Sequence, residues 1–423
     1  VLCWLAMFPT GLAQLGGIVG GVGQALSISV PLTAAGRAYN EALGERVQFE
    51  ALSAQLDLLR AKDRETGALE EEISELGERI AARGEVARGN DDRYWAVIIG
   101  VVTIFLLVRG GFGFIEAFCA FLVSGFTLVT VVNLFALQSY DAWAVTAHEF
   151  RQGLSFGFPE LTQEERAAGF SPLATALFTF GIIGVGAAEL VGYPYWCLEK
   201  GYGKWIGPRE QSESWAIRAR GWLRVLKVDA WVSMLIYTFS TIAFYLLGAA
   251  VLHRTGLLPE GPEMVRTLSV IYEPVFGRAA EVVFLVGAFA VLFSTFFVAN
   301  AQKARLATDV ADVFGFTVLT EATRRKGIRF FSVLFPALCV VIYLLWPRPV
   351  FWVLISGMAQ SLLLPVLGFA ALYFRYRKTD PRLLGGRLWD ASLWLSFAGF
   401  LVVGGHIAWT KGGEIFEALT RRI

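Results

Sequence analysis

Residues 181–201 read GIIGVGAAELVGYPYWCLEKG. The apolar segment that holds them, 172–198, is long enough to cross a bilayer, yet it contains Gly181, Gly184, Gly186, Gly192, Pro194 and one carboxylate, Glu189. Glycine and proline weaken a helix interior, and a carboxylate in hydrocarbon is costly. A helix that only fills a membrane avoids both. A broken helix with an ionisable residue at its break is how membrane proteins build a solute-binding site near the bilayer midplane. The plainer alternative is a proline-kinked packing helix whose Glu189 reaches a polar partner.

The rest of the chain agrees with a membrane setting. Its 423 residues are 55% hydrophobic and 14% aromatic, too apolar for a soluble domain. Apolar windows of spanning length fall near 1–32, 94–108, 113–137, 172–198, 229–252, 278–300, 329–346, 350–373 and 388–409. With no alternation of helix and strand signals, the class is all-α, a polytopic membrane helix bundle. The chain begins at Val1 inside an apolar run, without a charged leader or a small-residue cleavage pattern. It therefore reads as a fragment with an upstream part missing, not as a signal peptide.

Lysine and arginine set the orientation. The connections 199–228, 301–328 and 374–387 hold most of the membrane-proximal positive charge, and nine alternating spans put all three on one side with Arg109. That side is expected to be cytoplasmic, with Arg421 and Arg422 as exceptions. A net charge of +1 gives no electrostatic footprint for nucleic acid. Cys3, Cys119, Cys197 and Cys339 form no CxxC pair or Cys/His cluster, which argues against a disulfide framework or a zinc site. No GxxxxGK[ST] loop is present, so ATP is not an expected partner, and no nucleophile–base constellation suggests an enzyme.

Three segments follow: a transmembrane helix over 1–35, a soluble insert over 36–93, and the remaining bundle over 94–423. In the insert, Glu70, Glu71, Glu72, Glu75 and Glu78 crowd successive turns. Leu69, Ile73, Leu76 and Ile80 repeat at a/d spacing, Leu52, Gln55, Leu56 and Leu59 make a weaker stripe, and Gly67 separates the two. An extracytoplasmic helical hairpin or a solvated loop insertion fits this pattern; two heptads are too few for a coiled coil, which favours the loop. The acids lack the Asp/Gly spacing of a calcium loop.

Five stretches, in order, resemble the Nramp family of divalent metal ion transporters, in a divergent bacterial branch and without its N-terminal part. WLAMFPTGLAQLGGIVGGVGQALSISVPL (4–32) resembles the family's third helix. GGFGFIEAFCAFLVSGF (110–126) resembles the start of the fifth, through Phe112 and Glu116. Residues 181–201 stand in the place of the sixth. VLFSTFFVANAQ (291–302) is similar to the eighth, through Ser294, Thr295 and Gln302. SGMAQSLLLPVLGFAALY (356–373) is similar to the tenth, through Gln360, Ser361 and Pro365. The resemblance implies the LeuT-type inverted-repeat fold, here lacking its first two helices, with a midplane site.

It also shows departures. The family's sixth helix reads M-P-H-N at its break, where this chain has Tyr193-Pro194-Tyr195-Trp196, so the soft thioether and the imidazole are absent. The acids usual in the third helix are replaced by Leu15 and Ile18. The remaining candidate ligands are oxygens: the Glu189 carboxylate, backbone carbonyls around Ala187–Gly192 (Ala188 and Gly192 among them), the Tyr193 hydroxyl and the Gln360 amide. Oxygen ligands suit Mg²⁺, Ca²⁺ or Mn²⁺.

Each residue has a plainer reading as well. Glu189 binds a cation or carries a coupling proton, or it hydrogen-bonds a neighbouring helix. Gln360 is a ligand or an interhelical bond. Pro194, Tyr195 and Trp196 gate or line a path, or simply pack. His406, in the last window, is a proton relay or, more in keeping with a lone histidine, a packed side chain. The glycine run between Gln14 and Gln24 fits close helix packing, and Asn133, Asn300 and Gln302 fit interhelical bonds. The leading expectation is an ion-coupled secondary transporter that moves divalent metal cations across the cytoplasmic membrane by alternating access. It has metal cation and lipid bilayer as partners, no nucleic acid and no tightly bound cofactor. A LeuT-type carrier of a small organic solute and a non-transporting membrane scaffold or sensor are the alternatives.

Overall fold

A computed structural model describes residues 2–60, 66–109, 112–155, 172–183, 186–257, 259, 264–318 and 320–420. In chain order its main helices are α1 (Leu2–Ser29), α2 (Ala34–Arg60), α3 (Gly67–Arg83), α4 (Asp91–Arg109), α5 (Phe112–Leu137), α6 (Ala147–Gly153), α7 (Pro172–Phe180), α8 (Ala187–Glu199), α9 (Glu213–Leu247), α10 (Met264–Ser269), α11 (Ala280–Val313), α12 (Glu321–Leu345), α13 (Pro349–Tyr373) and α14 (Arg387–Thr420). Among the described residues there is no strand. Six helical stretches among these residues are long and apolar enough to cross a membrane: Met7–Ser29, Glu213–Thr255, Ala280–Val313, Glu321–Leu345, Pro349–Lys378 and Arg387–Thr410. Large apolar side chains stay exposed along them, including Trp231, Ile236 and Phe239 on α9 and Leu395, Val402 and Trp409 on α14. Such a surface suits acyl chains and not water. The chain is a polytopic helical membrane protein.

The other three apolar windows are helical too. The window at 94–108 is α4, whose first turn holds Asp91 and Asp92. The window at 113–137 is α5; the side chains of Phe112, Glu116 and Cys119 lie outside the described residues. The window at 172–198 is not one helix but two, α7 and α8.

The chain forms two compact units. One comprises Leu15–Gly157 and Phe239–Phe351. Its core gathers Phe126, Leu137, Leu247, Tyr272, Phe284 and Leu285, with the Phe126 and Tyr272 rings stacked at 6.0 Å. Two buried polar side chains of this core find partners, which lowers the cost of burying them. Thr130 Oγ1 and Tyr272 Oη share a hydrogen bond of 2.6 Å, and Asn133 Nδ2 donates to the Ile271 carbonyl at 3.1 Å. The glycine run of α1 serves close packing. A Cβ on Gly20 would stand 2.1 Å from the Tyr343 ring, and one on Gly23 would stand 2.2 Å from the Asp92 carbonyl. Small residues let helix backbones approach this closely.

The insert is helical, not a solvated loop. Arg83, at the end of α3, pairs with Glu41 and Glu45 near the start of α2, and Arg60, at the end of α2, pairs with Glu70 near the start of α3. The two helices are therefore antiparallel. Leu56 and Leu76 are buried between polar faces, and Gly67 is the first residue of α3. Val47 and Ala51 of α2 join the main core with Leu252, Leu257 and Val265, so apolar burial fixes α2 to its unit. At its base the Asp91 carboxylate accepts from the Leu32 amide (2.6 Å), the Thr33 amide (3.0 Å) and the Thr33 hydroxyl (2.6 Å). Burial raises the pKa of Asp91, but these donors outweigh it and hold the carboxyl below its ordinary value.

The second unit comprises Val1–Gln14, Phe158–Thr238 and Trp352–Ile423. Met7, Ala187 and Leu364 form its buried apolar cluster, with Phe400 packed against it. In the basic connection after α13, Arg382 donates to the carbonyls of Glu210, Gln211 and Ser212 at 3.0 Å each, and lies over the Trp215 ring. Arg382 and Arg209 both bind Asp380 and hold its carboxyl well below the usual range. This clamp ties the α13–α14 connection to the approach to α9.

Candidate functional site

The interruption between α7 and α8 gives the second unit its only described break within a spanning window. Helix α7 ends at Phe180, where the Thr179 carbonyl accepts from the amides of both Ile182 and Ile183. Gly184 and Val185 lie outside the described residues. Helix α8 restarts with Gly186 as its N-cap, in extended conformation and with no side-chain cap of its own. An uncapped helix start leaves backbone N–H groups to be satisfied from elsewhere. Here the cap comes from another helix: the Ala188 amide donates to Gln360 Oε1 of α13 at 3.0 Å.

Gln360 is 1% exposed and its amide is fixed at both ends. Nε2 donates to Gln14 Oε1 and to Ser356 Oγ, each at 3.2 Å, and Ser356 Oγ donates to Gln14 Oε1 at 2.9 Å. With Nε2 held by α1 and α13, Oε1 faces the start of α8. On the other side, Ser361 Oγ donates to the Leu177 carbonyl of α7 at 3.0 Å. Gly181 follows α7 so closely against α13 that a Cβ there would stand 2.2 Å from the Gly357 carbonyl and 2.5 Å from the Ser361 amide nitrogen. Helix α13 thus holds both stumps of the broken helix.

Three oxygens of different origin converge at Gly186. A Cβ at this residue would lie 2.3 Å from Glu189 Oε2, 2.7 Å from Gln360 Oε1 and 3.3 Å from the Gly181 carbonyl oxygen. Glycine, which has no Cβ, lets these oxygens come this close to its backbone. The carboxylate lies at the third helical position and reaches back over the N-cap, where the helix dipole favours negative charge. Among the described residues no side chain donates a hydrogen bond to Glu189. A carboxylate, an amide oxygen and a main-chain carbonyl together make a hard-oxygen locus with one negative charge. Among the described residues no group of three or more His, Cys, Asp or Glu side chains forms a conventional metal cluster.

The structure sorts the residues expected from the sequence. Glu189 and Gln360 come together at Gly186. Ala188 and Gly192 differ from expectation: both are inside α8, where their carbonyls serve the helical ladder, and Ala188 contributes its N–H instead. The carbonyl freed within α8 is that of Leu190, because Pro194 has no N–H to give it. Tyr193-Pro194-Tyr195-Trp196 lies within α8, about two turns past the break and not at it. Helical spacing sets Tyr193 and Trp196, at i+4 and i+7, on the face of Glu189, with Pro194 and Tyr195 off that face. The Tyr193 hydroxyl is directed to Asp229 of α9, donating to Oδ2 at 2.7 Å. His406 is exposed on α14. It is two residues past Gly404, which meets Pro365 of α13, and so about 200° around the helix from that contact. It does not join the Gly186 locus. Gln14, read from the sequence as a flank of a packing run, belongs to the site's second layer. Ser356 and Asp229 were not anticipated; the signal for Asp229 was a carboxylate at the first residue of an apolar window.

Comparison with known proteins gives one family match. The family model described as natural resistance-associated macrophage protein-like, Nramp, matches residues 205–410. The matched range includes Asp229, Ser356, Gln360, α9 to α13 and α14 as far as residue 410, but not α8, so Glu189 rests on geometry alone. No curated protein matches the chain.

Proposed function

The chain belongs to the Nramp family, whose members are membrane transporters of divalent metal ions with a LeuT-type fold, and from that premise we propose that it is an ion-coupled secondary transporter whose cargo binds at Gly186. The convergence of Glu189 Oε2, Gln360 Oε1 and the Gly181 carbonyl around Gly186 carries this reading. A site of this kind favours a hard, partly hydrated cation such as Mg²⁺ or Mn²⁺, since the described face of α8 supplies no thioether or imidazole. Its single carboxylate keeps binding weak enough for release, which a carrier needs as much as capture.

The transport cycle is alternating access. The break between α7 and α8 lets each half-helix tilt while α13 keeps hold of both ends through Gln360 and Ser361. The gradient of a coupling ion or the membrane potential supplies the drive, the latter worth about 2.3 kcal/mol per charge per 100 mV. The membrane is the cytoplasmic one, with the basic connections inside and the α2–α3 pair outside.

The test is uptake into proteoliposomes that contain the full chain. The account expects Mn²⁺ and Mg²⁺ to enter and to compete with each other. Failure of both to enter, together with accumulation of a small cationic or zwitterionic organic solute, would transfer the site to the organic-carrier reading.

A further inference from the structure

Around the starts of α9 and α14 the second unit uses some of its cations and leaves others over. Arg209 and Arg382 bind Asp380. Arg375 donates to Asp390 Oδ1 at 2.6 Å and to the Gly385 carbonyl at 2.7 Å. Arg224, Lys227 and Arg387 are exposed, and among the described residues no carboxylate pairs with them. Lys227 instead lies over the Trp389 ring, 5.4 Å from its centroid, which sets the basic end of α9 against the start of α14. Arg387 is the first residue of α14, where the helix dipole disfavours a cation, and the acid of that first turn, Asp390, is taken by Arg375.

These cations stand at the membrane edge. The apolar windows 229–252 and 388–409 begin directly after them. On α9, Arg224, Lys227, Trp231 and Leu235 follow at i, i+3, i+7 and i+11, so all four share one face, and all four are exposed. Along about 16 Å of that face two cations give way to an indole and then to an aliphatic side chain. A phospholipid has the same order, with phosphate outermost, glycerol esters next and acyl chain within. Trp389 and Trp394 are exposed on α14 beside this face, and Trp394 Nε1 donates to Tyr376 Oη at 3.1 Å; such rings belong at headgroup level. The surroundings are also fixed. Arg375 and the Trp394–Tyr376 bond fasten the end of α13 to α14, and the Lys227–Trp389 contact adds α9. Positive charge that served only to orient the chain in the membrane would need no such frame.

We propose that the seam between α9 and α14 binds one anionic phospholipid. Its phosphate is held by Arg224 and Lys227, with Arg387 as a third charge, and its acyl chains lie along Trp231 and Leu235. Arginine offers the phosphate two parallel N–H donors, and lysine adds a point charge that Trp389 keeps in place. The proposal is independent of the cargo reading, because it is read by lipid binding and not by transport.

The full chain in neutral detergent is titrated with phosphatidylglycerol, with phosphatidylcholine and with glycerol phosphate, and bound molecules are counted by native mass spectrometry. Wild type is expected to bind one phosphatidylglycerol about tenfold or more tighter than phosphatidylcholine. Arg224→Gln, at an exposed residue without a partner, is expected to weaken this about fivefold with an unchanged thermal midpoint, and Arg224→Gln with Lys227→Gln about twentyfold. Lys326 and Arg329 supply the control: they have the same spacing on α12 and are exposed, but no aromatic ring holds either of them among the described residues. Lys326→Gln with Arg329→Gln should leave phosphatidylglycerol binding within about twofold of wild type. Equal binding of the two lipids by wild type overturns the site, as does wild-type affinity in Arg224→Gln. An equal loss in the control reduces the effect to a diffuse field and overturns it too. Glycerol phosphate bound as tightly as phosphatidylglycerol would show a site for free phosphate and contradict the lipid.

Discussion

At residue 186 the absence of a side chain has more consequence than any side chain nearby. Its backbone is in an ordinary extended conformation that alanine also adopts, so the constraint is spatial and not torsional. A Cβ would enter the point where Glu189 and Gln360 meet. Gly186→Ala is therefore expected to abolish metal uptake and to lower the thermal midpoint in detergent only moderately, because the flexible Glu189 side chain moves aside and the strain falls on the Gln360 amide. Gly181→Ala is expected to act differently. Its Cβ meets main-chain atoms of Gly357 and Ser361, which have no rotamer to change, and overpacking of this kind costs about 1–3 kcal/mol. The midpoint should fall clearly, and a midpoint equal to that of Gly186→Ala would contradict the packing. Glu189 and Gln360 could be read from the sequence because polar groups in apolar windows are expensive and rarely idle. Their meeting could not be read, since it depends on a contact between helices 172 residues apart. Nor could the fate of the Tyr193 hydroxyl, which the approach of α9 decides.

Among the elements, the broken helix and the insert show two ways in which local signals were read. Glycines 181, 184 and 186 and Pro194 all weaken a helix, but they are not equivalent. The chain breaks at the glycines, while Pro194 stays inside α8 and gives up only the Leu190 carbonyl's partner. The family comparison drew attention to the proline; the glycines, which lose more entropy on ordering, mark the break. In the insert, the a/d stripe of α3 was legible, whereas the docking of α2 through Val47 and Ala51 was not, because those residues answer to a tertiary surface. Asp91 secures the base of this hairpin. A carboxyl held below its ordinary value contributes stability at pH above the ordinary carboxylate range, and that stability is lost as pH falls through the lowered value. Asp91→Ala is expected to cost about 1.5–3 kcal/mol, the usual worth of hydrogen bonds to a charged group, and to speed hydrogen exchange in residues 34–60. Exchange in that segment unchanged at neutral pH would remove Asp91 from this role.

For the whole molecule, composition and the spacing of apolar windows sufficed to identify a polytopic helical membrane protein, because the bilayer imposes its thickness on every span. Groups outside the spans set its response to pH. Glu273, in the connection before α11, is half-buried and faces Glu281, and both effects push its carboxyl up to about 7. A carboxyl raised in the folded state contributes stability that is complete below its unfolded value and is lost as pH rises through the raised one. Thermal stability of the full chain is therefore expected to decline between pH 5 and about 8, and Glu273→Gln should flatten that decline. An identical decline in the variant would assign it to other groups. The proposed function rests on the Gly186 locus, and the most direct measurement is Mn²⁺ uptake into proteoliposomes by wild type and by Glu189→Gln, side by side. Glutamine preserves size and hydrogen-bonding capacity but removes the site's one negative charge. The account predicts uptake by the wild type and its loss in Glu189→Gln; equal uptake by the two proteins would contradict it.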